Sequence, residues 1–213
     1  MIFQQIRAGG DRNFGYLIGD EETKEAAVID PSSAPGEFPR AAEKYNLKIV
    51  YIIGTHGHGD HTSGIAALKK MTGAKVVMHS SAPGSADVSV EDGDTLKLGN
   101  LEMAVIHTPG HTLDSICILV NGKLVTGDTL FVGKIGGTYN DEAARIEYDS
   151  LFNKLMKLDD DIEVYPGHDY GVAPTSTIGH ERQTNPFILR KDFKDFKWLK
   201  DNWASYKLEH GIK

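Results

Sequence analysis

Five of the nine histidines stand in short clusters beside glycine or aspartate. The densest is His56-x-His58-x-Asp60-His61, four possible ligands within six residues. Downstream come Thr108-Pro109-Gly110-His111-Thr112, then Gly127-Asp128, then Pro166-Gly167-His168. Imidazole and carboxylate are borderline-to-hard donors that suit Zn2+, Fe2+ or Mn2+. Glycine beside a ligand lets the backbone turn tightly and approach a site closely. Seven such donors are too many for one tetrahedral zinc and suit two neighbouring metals that share a carboxylate. Two ions roughly 3.5–4 Å apart can hold a bridging hydroxide, lower its pKa and polarise a carbonyl. A surface turn with hydrogen-bonded histidines is the plain alternative for a lone HxH. The full HxHxDH, with three matching ligands in order after it, argues against that alternative.

These residues need a rigid frame, and the hydrophobic pattern supplies one. Each cluster follows a segment that reads as a strand, and loops at strand ends can converge on one point. Short β-like runs cover Ile2–Ile6, Phe14–Ile18 and Ala26–Ile29, divided by Gly9-Gly10-Asp11 and Asp20-Glu21-Glu22. Phe38–Tyr45 reads as a short helix before the apolar strand Ile49–Ile53, which ends at Gly54 just before THGHGDH. A helix at Gly64–Met71 and a strand at Lys75–Met78 follow. Further strands are expected at Thr95–Leu98, Leu101–Ile106, Ser115–Val120, Lys123–Val125 and Ile162–Tyr165. Helical spacing runs through Glu142–Leu158. Phe193, Phe196, Leu199, Trp203 and Tyr206, at steps of three and four, predict one amphipathic tail helix whose aromatic stripe packs on the core. Strands and helices interleave in both halves, which implies an α/β fold of two sheets covered by helices.

Composition narrows the function. At 213 residues the chain holds one generous domain. We divide it into a domain at 1–189 and a helical tail at 190–213 packed on that domain. Forty per cent hydrophobic and 25% charged residues exclude wholesale disorder. A single cysteine, Cys117, excludes a disulfide framework and a Cys-rich zinc module. Its setting, ICILV, reads as a buried inert thiol. The net charge of −7 argues against binding nucleic acid. From Arg190 onward, seven basic residues face four acidic ones, which reads as a solvated helix face. No apolar run approaches the roughly 18 residues of a membrane span. The N-terminus shows no basic start, apolar h-region or cleavage site, so the expectation is a cytoplasmic protein with no membrane partner. The oligomeric state is not readable. His79, His107, His180 and His210 belong to no motif and are assigned to packing or surface.

THGHGDH, TPGHT, GD and GH, in this order after an N-terminal β meander, resemble the metallo-β-lactamase superfamily over nearly the whole chain. The resemblance implies a four-layer αββα sandwich with the site at one edge between the sheets. It also implies that His56, His58 and His111 hold a first metal, that Asp60, His61 and His168 hold a second, and that Asp128 bridges both. Two divalent ions are expected, zinc in first place, with iron or manganese as alternatives.

Within the superfamily the chain is similar to glyoxalase II, the hydroxyacylglutathione hydrolases. GDTLFVG, the tyrosines Tyr139 and Tyr170, and the stretch from Pro174 to Phe187 (PTSTIGHERQTNPF) carry that likeness. It implies a small thioester or related ester as substrate, cleaved by a metal-bridging hydroxide with Asp60 orienting it or accepting its proton. Tyr139, Tyr170 and Lys134 would contact substrate. Three departures stand out. Only a few residues separate GHDY from PTSTI, where glyoxalase II has a longer insert that walls the glutathione site. Gly137 replaces the family's lysine, with Lys134 nearby as a substitute. The basic cluster that ends the glyoxalase II chain has no clear match. An open site and poor use of S-lactoylglutathione follow, unless the tail folds over the site and offers its lysines. The competing reading is the persulfide dioxygenase branch, one Fe2+ on His56, His111 and Asp128. GKIGGTY after GDTLF lacks the Arg-Thr-Asp pattern of that branch. A lactonase-type hydrolase is a further alternative.

Overall fold

Backbone pairing sorts the strands into two six-stranded sheets. The structure, a computed structural model, describes residues 1–212. The first sheet contains β1 (Ile2–Gly9), β2 (Asn13–Gly19), β3 (Glu25–Ile29), β4 (Lys48–Ile53), β5 (Lys75–His79) and β6 (Val88–Val90), in sequence order. Its first three strands are an antiparallel meander, and β3 to β6 run parallel. The second sheet is built from β7 (Thr95–Leu98), β8 (Leu101–His107), β9 (Ile116–Val120) and β10 (Lys123–Gly127). After the hairpin of β11 (Leu130–Phe131) and β12 (Lys134–Ile135), it is completed by β13 (Glu163–Pro166) and β14 (Ser176–Thr177). Its order is β14-β13-β10-β9-β8-β7, with β10 and β13 parallel.

Period-two alternation decides which layer each side chain joins. Tyr16 and Ile18 enter the core between the sheets, while Leu17 between them faces the outer helices. Ala27 and Ile29 likewise point inward, and Ala26 and Val28 outward. From the second sheet, Ile116, Ile118 and Val120 meet them, leaving Cys117 on the far side. Helices α1 (Glu37–Glu43) and α3 (Ile65–Thr72) cover the first sheet through Phe38, Ala42, Ile65 and Leu68. Helices α4 (Asp141–Asn153), α5 (Ile178–Thr184) and α6 (Phe193–Asp201) cover the second through Leu151, Ile178, Phe196 and Leu199. The result is the αββα sandwich.

Two expected helices are interrupted. The 142–158 segment is helical to Asn153, then leaves helical dihedrals at Lys154 (φ −119°, ψ −71°) and ends in a 3₁₀ turn. There the Lys154 ammonium donates to the His107 carbonyl at 2.7 Å and to Asp92 at 2.8 Å, tying the break to the end of β8. The tail is α6 plus a separate α7 (Trp203–Glu209), divided at Asn202 (φ −110°, ψ 14°). Asn202 donates its side-chain amide back to the Trp198 carbonyl at 2.8 Å, a local bond that competes with helix continuation. Among the described residues, no helix is long and apolar enough to cross a membrane.

Candidate metal centre

All seven donors lie in loops that leave the strand ends at one edge of the sandwich. His56, His58, Asp60 and His61 follow β4, with Asp60 and His61 on the single turn α2 (Gly59–Thr62). His111 follows β8. Because β10 and β13 are parallel, Asp128 and His168 emerge from the same end of the second sheet. Close approach demands glycine here. A Cβ on Gly167 would collide with Asp128 Oδ1, and one on Gly110 (φ +144°) with the α4 backbone at Glu147.

Two groups of ligand atoms form. His58 Nδ1 stands 3.0 Å from His56 Nε2 and 3.0 Å from His111 Nε2. His61 Nε2 and His168 Nε2 are 3.1 Å apart, with Asp60 Oδ2 at 3.4 and 3.3 Å from them. Asp128 lies between the groups: Oδ1 is 3.3 Å from His61 Nε2, and Oδ2 is 3.6 Å from His111 Nε2 and 3.4 Å from His168 Nε2. A tetrahedral zinc with ligands at about 2.1 Å has donor–donor edges of about 3.4 Å. The spacing therefore fits two small cations. Asp128 Oδ1, buried, has no hydrogen-bond partner among the described residues.

The outward ring nitrogens explain why the inward ones present lone pairs. His61 Nδ1 donates to Asp30 Oδ2 at 2.9 Å, His111 Nδ1 to the Gly137 carbonyl at 2.8 Å, and His168 Nδ1 to the Asp11 carbonyl at 2.8 Å. His56 Nδ1 meets Thr55 Oγ1 at 3.0 Å; that hydroxyl spends its own hydrogen on Asp30 Oδ2 at 2.7 Å, so it accepts from the ring. His58 Nε2 faces the Tyr139 hydroxyl at 3.1 Å. Acceptors behind the rings fix the tautomers and raise ligand basicity.

The charges agree. Burial pushes His56 down to about 3 and lowers His111, so both stay neutral donors. Burial works against the charged forms of His61 and His168 too, but at His61 Asp30 and Asp128 outweigh it, as Asp128 does at His168, and both are raised. Burial would raise Asp128, yet the His168 and His61 rings beside it hold it well below the ordinary carboxylate range. The pocket favours positive charge between these groups.

The structure places the remaining expected residues less uniformly. Tyr139 is 80% exposed at the mouth and touches His58. Tyr170 stacks on the His168 ring at 4.4 Å, and its hydroxyl donates to Asp11. Lys134 donates to the Tyr170 carbonyl at 2.5 Å and lines a separate hollow with Val132 and Pro186. The tail's Lys197 and Lys200 line a hollow with Tyr139 and Asn140. Lys200 pairs with buried Glu147 and donates to the Gly136 carbonyl at 2.9 Å, and Lys197 bonds Asp141 and Asp201. Cys117 is fully buried, its thiol pushed up by burial to about 11. His79 stacks on His107 at 3.8 Å, away from the cluster.

Sequence reasoning missed the supporting layer. Asp30 accepts from the Thr55 backbone, the Thr55 hydroxyl and His61. Asn13 donates to Asp60 Oδ2 at 3.1 Å, fixing that carboxylate. A signal existed for Asp30: an acid directly after the wholly apolar AAVI.

The metallo-beta-lactamase superfamily matches residues 8–87 and 81–168 of the chain. A hydroxyacylglutathione hydrolase from Polaromonas is 39% identical over 178 residues, 80% of this chain and 67% of that protein. The mitochondrial persulfide dioxygenase ETHE1 of Homo sapiens is 33% identical over 179 residues, 81% of this chain and 70% of that protein. Among solved structures, ETHE1 from Myxococcus xanthus superposes with a TM-score of 0.90 at 36% identity, covering 95% of this chain and 91% of that one.

Proposed function

Because the chain belongs to the metallo-beta-lactamase superfamily, in its glyoxalase II-like branch, we propose that it is a binuclear metal-dependent hydrolase of a small thioester or related ester. The observation that carries this reading is two three-donor groups, His56–His58–His111 and Asp60–His61–His168, joined by a third of His56, His61 and Asp128. Zinc is the ion we assign first, on the nitrogen-rich donor set. Bound divalent cations would supply Lewis acidity to a substrate carbonyl and acidify a water.

The chain's own residues divide the remaining work. His56, His58 and His111 form one binding face, and Asp60, His61 and His168 the other. The Asp60 side chain is 44% exposed against 10% for Asp128. It is therefore the carboxylate able to take a proton from an attacking water and return it to solvent. Asn13 holds Asp60 in that orientation. A thiolate leaves readily, so no strong general acid is needed. Tyr139 and the ring of His111 border the approach to the first group.

A second reading, a single-iron persulfide dioxygenase, is supported by the likeness to ETHE1 proteins over most of the chain. His56, His111 and Asp128 would then act as a triad. One experiment separates the two: purified protein loaded with zinc or with iron, assayed for thioester cleavage and for oxygen uptake with a persulfide. Thioester cleavage by the zinc form without oxygen uptake is expected. Oxygen consumption by an iron form that cleaves no thioester would overturn the hydrolase reading.

A further inference from the structure

A cavity of about 500 Å3 opens beside His111 and Tyr139 and runs along the first turns of α4. Pro83, Leu113, Ala143 and Ile146 give it an apolar stretch of wall, beside the polar Ser81, Thr112 and Asn140. Its two charged lining residues are both acids, Asp114 and Glu142. Asp114 is only 5% exposed, and its Oδ2 has no hydrogen-bond partner among the described residues. A buried carboxylate oxygen without a donor strongly disfavours a second negative charge nearby. Two lysines of the adjoining hollow, which shares Tyr139 and Asn140 with the cavity, are already paired: Lys200 with Glu147 and the Gly136 carbonyl, Lys197 with Asp141 and Asp201.

From this, and resting on the hydrolase reading, we propose that the cavity holds an apolar, non-anionic acyl arm of the thioester, and that Asp114 and Glu142 exclude acyl arms ending in a carboxylate. The volume lies in the range of small-molecule sites. Each buried methylene raises affinity about fourfold. A chain of several methylenes therefore gives binding energy remote from the reacting carbonyl, which can be used to position it.

The test uses thioesters of one thiol, N-acetylcysteamine, carrying acetyl, hexanoyl or adipoyl groups, with S-lactoylglutathione alongside. The hexanoyl ester is expected to exceed the acetyl ester at least tenfold in kcat/KM, and the adipoyl ester, of similar length but anionic, at least tenfold. Ala143→Trp should reduce the hexanoyl rate at least tenfold more than the acetyl rate. Glu142→Lys, on an exposed position that leaves folding intact, should narrow the hexanoyl-to-adipoyl gap at least threefold. Calorimetry with the unreactive S-hexyl thioether of the same thiol reads the cavity without turnover: wild type should bind it, and Ala143→Trp should bind at least tenfold more weakly. If every thioester is inert yet the thioether binds in this pattern, the hydrolase reading fails and the cavity assignment stands. If thioesters are cleaved with no preference for hexanoyl over acetyl or adipoyl, the cavity assignment is overturned and the hydrolase reading stands.

Discussion

Asp30 Oδ2 accepts the Nδ1 hydrogen of His61 at 2.9 Å, placing a fully buried carboxylate directly behind one of the clustered histidines. Asp30 reaches this position from the end of β3 in the left-handed region, φ +48°, which aspartate tolerates better than most residues. The Thr55 backbone and hydroxyl donate to the same carboxylate at 2.8 and 2.7 Å, so one acid ties β3 to the loop bearing all four HxHxDH donors.

Replacing Asp30 should therefore weaken one metal site more than the other. Asp30→Asn keeps the shape but removes the charge behind His61. The second metal's dissociation constant is expected to rise about 10–100-fold, with the first changed less. Competition against a chromogenic chelator reads both constants. An unchanged second constant would show that Asp30 serves the fold alone.

Asp128 is the carboxylate that faces both groups. Asp128→Ala should lower occupancy at both sites and reduce turnover more than loss of any single non-bridging ligand. The core between the sheets lies elsewhere, so circular dichroism should stay native. Near-normal turnover in this variant would contradict the bridging position.

The Lys200–Glu147 pair lends itself to a pH test. Burial pushes Glu147 up to about 7 despite Lys200 beside it. A raised carboxyl favours the protonated folded form, so its contribution to stability is complete below the ordinary carboxyl value and lost as pH rises through about 7. Lys200→Met removes the cation that offsets the ionised form. Its deficit against wild type is expected to be about 3–5 kcal/mol at pH 8 and to shrink as pH falls below 7. Lys200→Met with Glu147→Leu should recover most of the loss. Denaturant titrations across pH check this, and a deficit equal at pH 5 and 8 would rule it out.

The tail is structural. Phe196 and Leu199 are fully buried against Leu151, Leu155 and Phe187. Phe196→Ala should cost about 3–5 kcal/mol, and truncation after Phe187 should give a poorly soluble chain. A truncated form with an unchanged melting temperature would show that α6 contributes nothing to the core.

The clustering of the seven donors was legible because each sits within a short motif directly after an apolar strand. The longer strands were legible for the same reason, since alternation at Tyr16, Leu17 and Ile18 is a local property, whereas the two- and three-residue strands β6, β11, β12 and β14 were not. Contacts between distant segments were not. Asp30 and Asn13 act on residues about 30 to 50 positions away, and Glu147 meets Lys200 across 53. Nothing in the helical spacing of α4 marks Glu147 as buried. The breaks at Lys154 and Asn202 arise from side chains bonding backbone carbonyls, which hydrophobic periodicity does not register. The bond from Lys134 to the Tyr170 carbonyl also joins segments far apart in sequence.

Metal stoichiometry is the most direct measure of a binuclear centre. Protein stripped with chelator, loaded with excess zinc and dialysed should retain two equivalents per chain by elemental analysis. His168→Ala, which removes a donor from the second group alone, should retain about one. A wild-type value of one, unchanged by His168→Ala, would mean that Asp60, His61 and His168 hold no metal and that the centre is mononuclear.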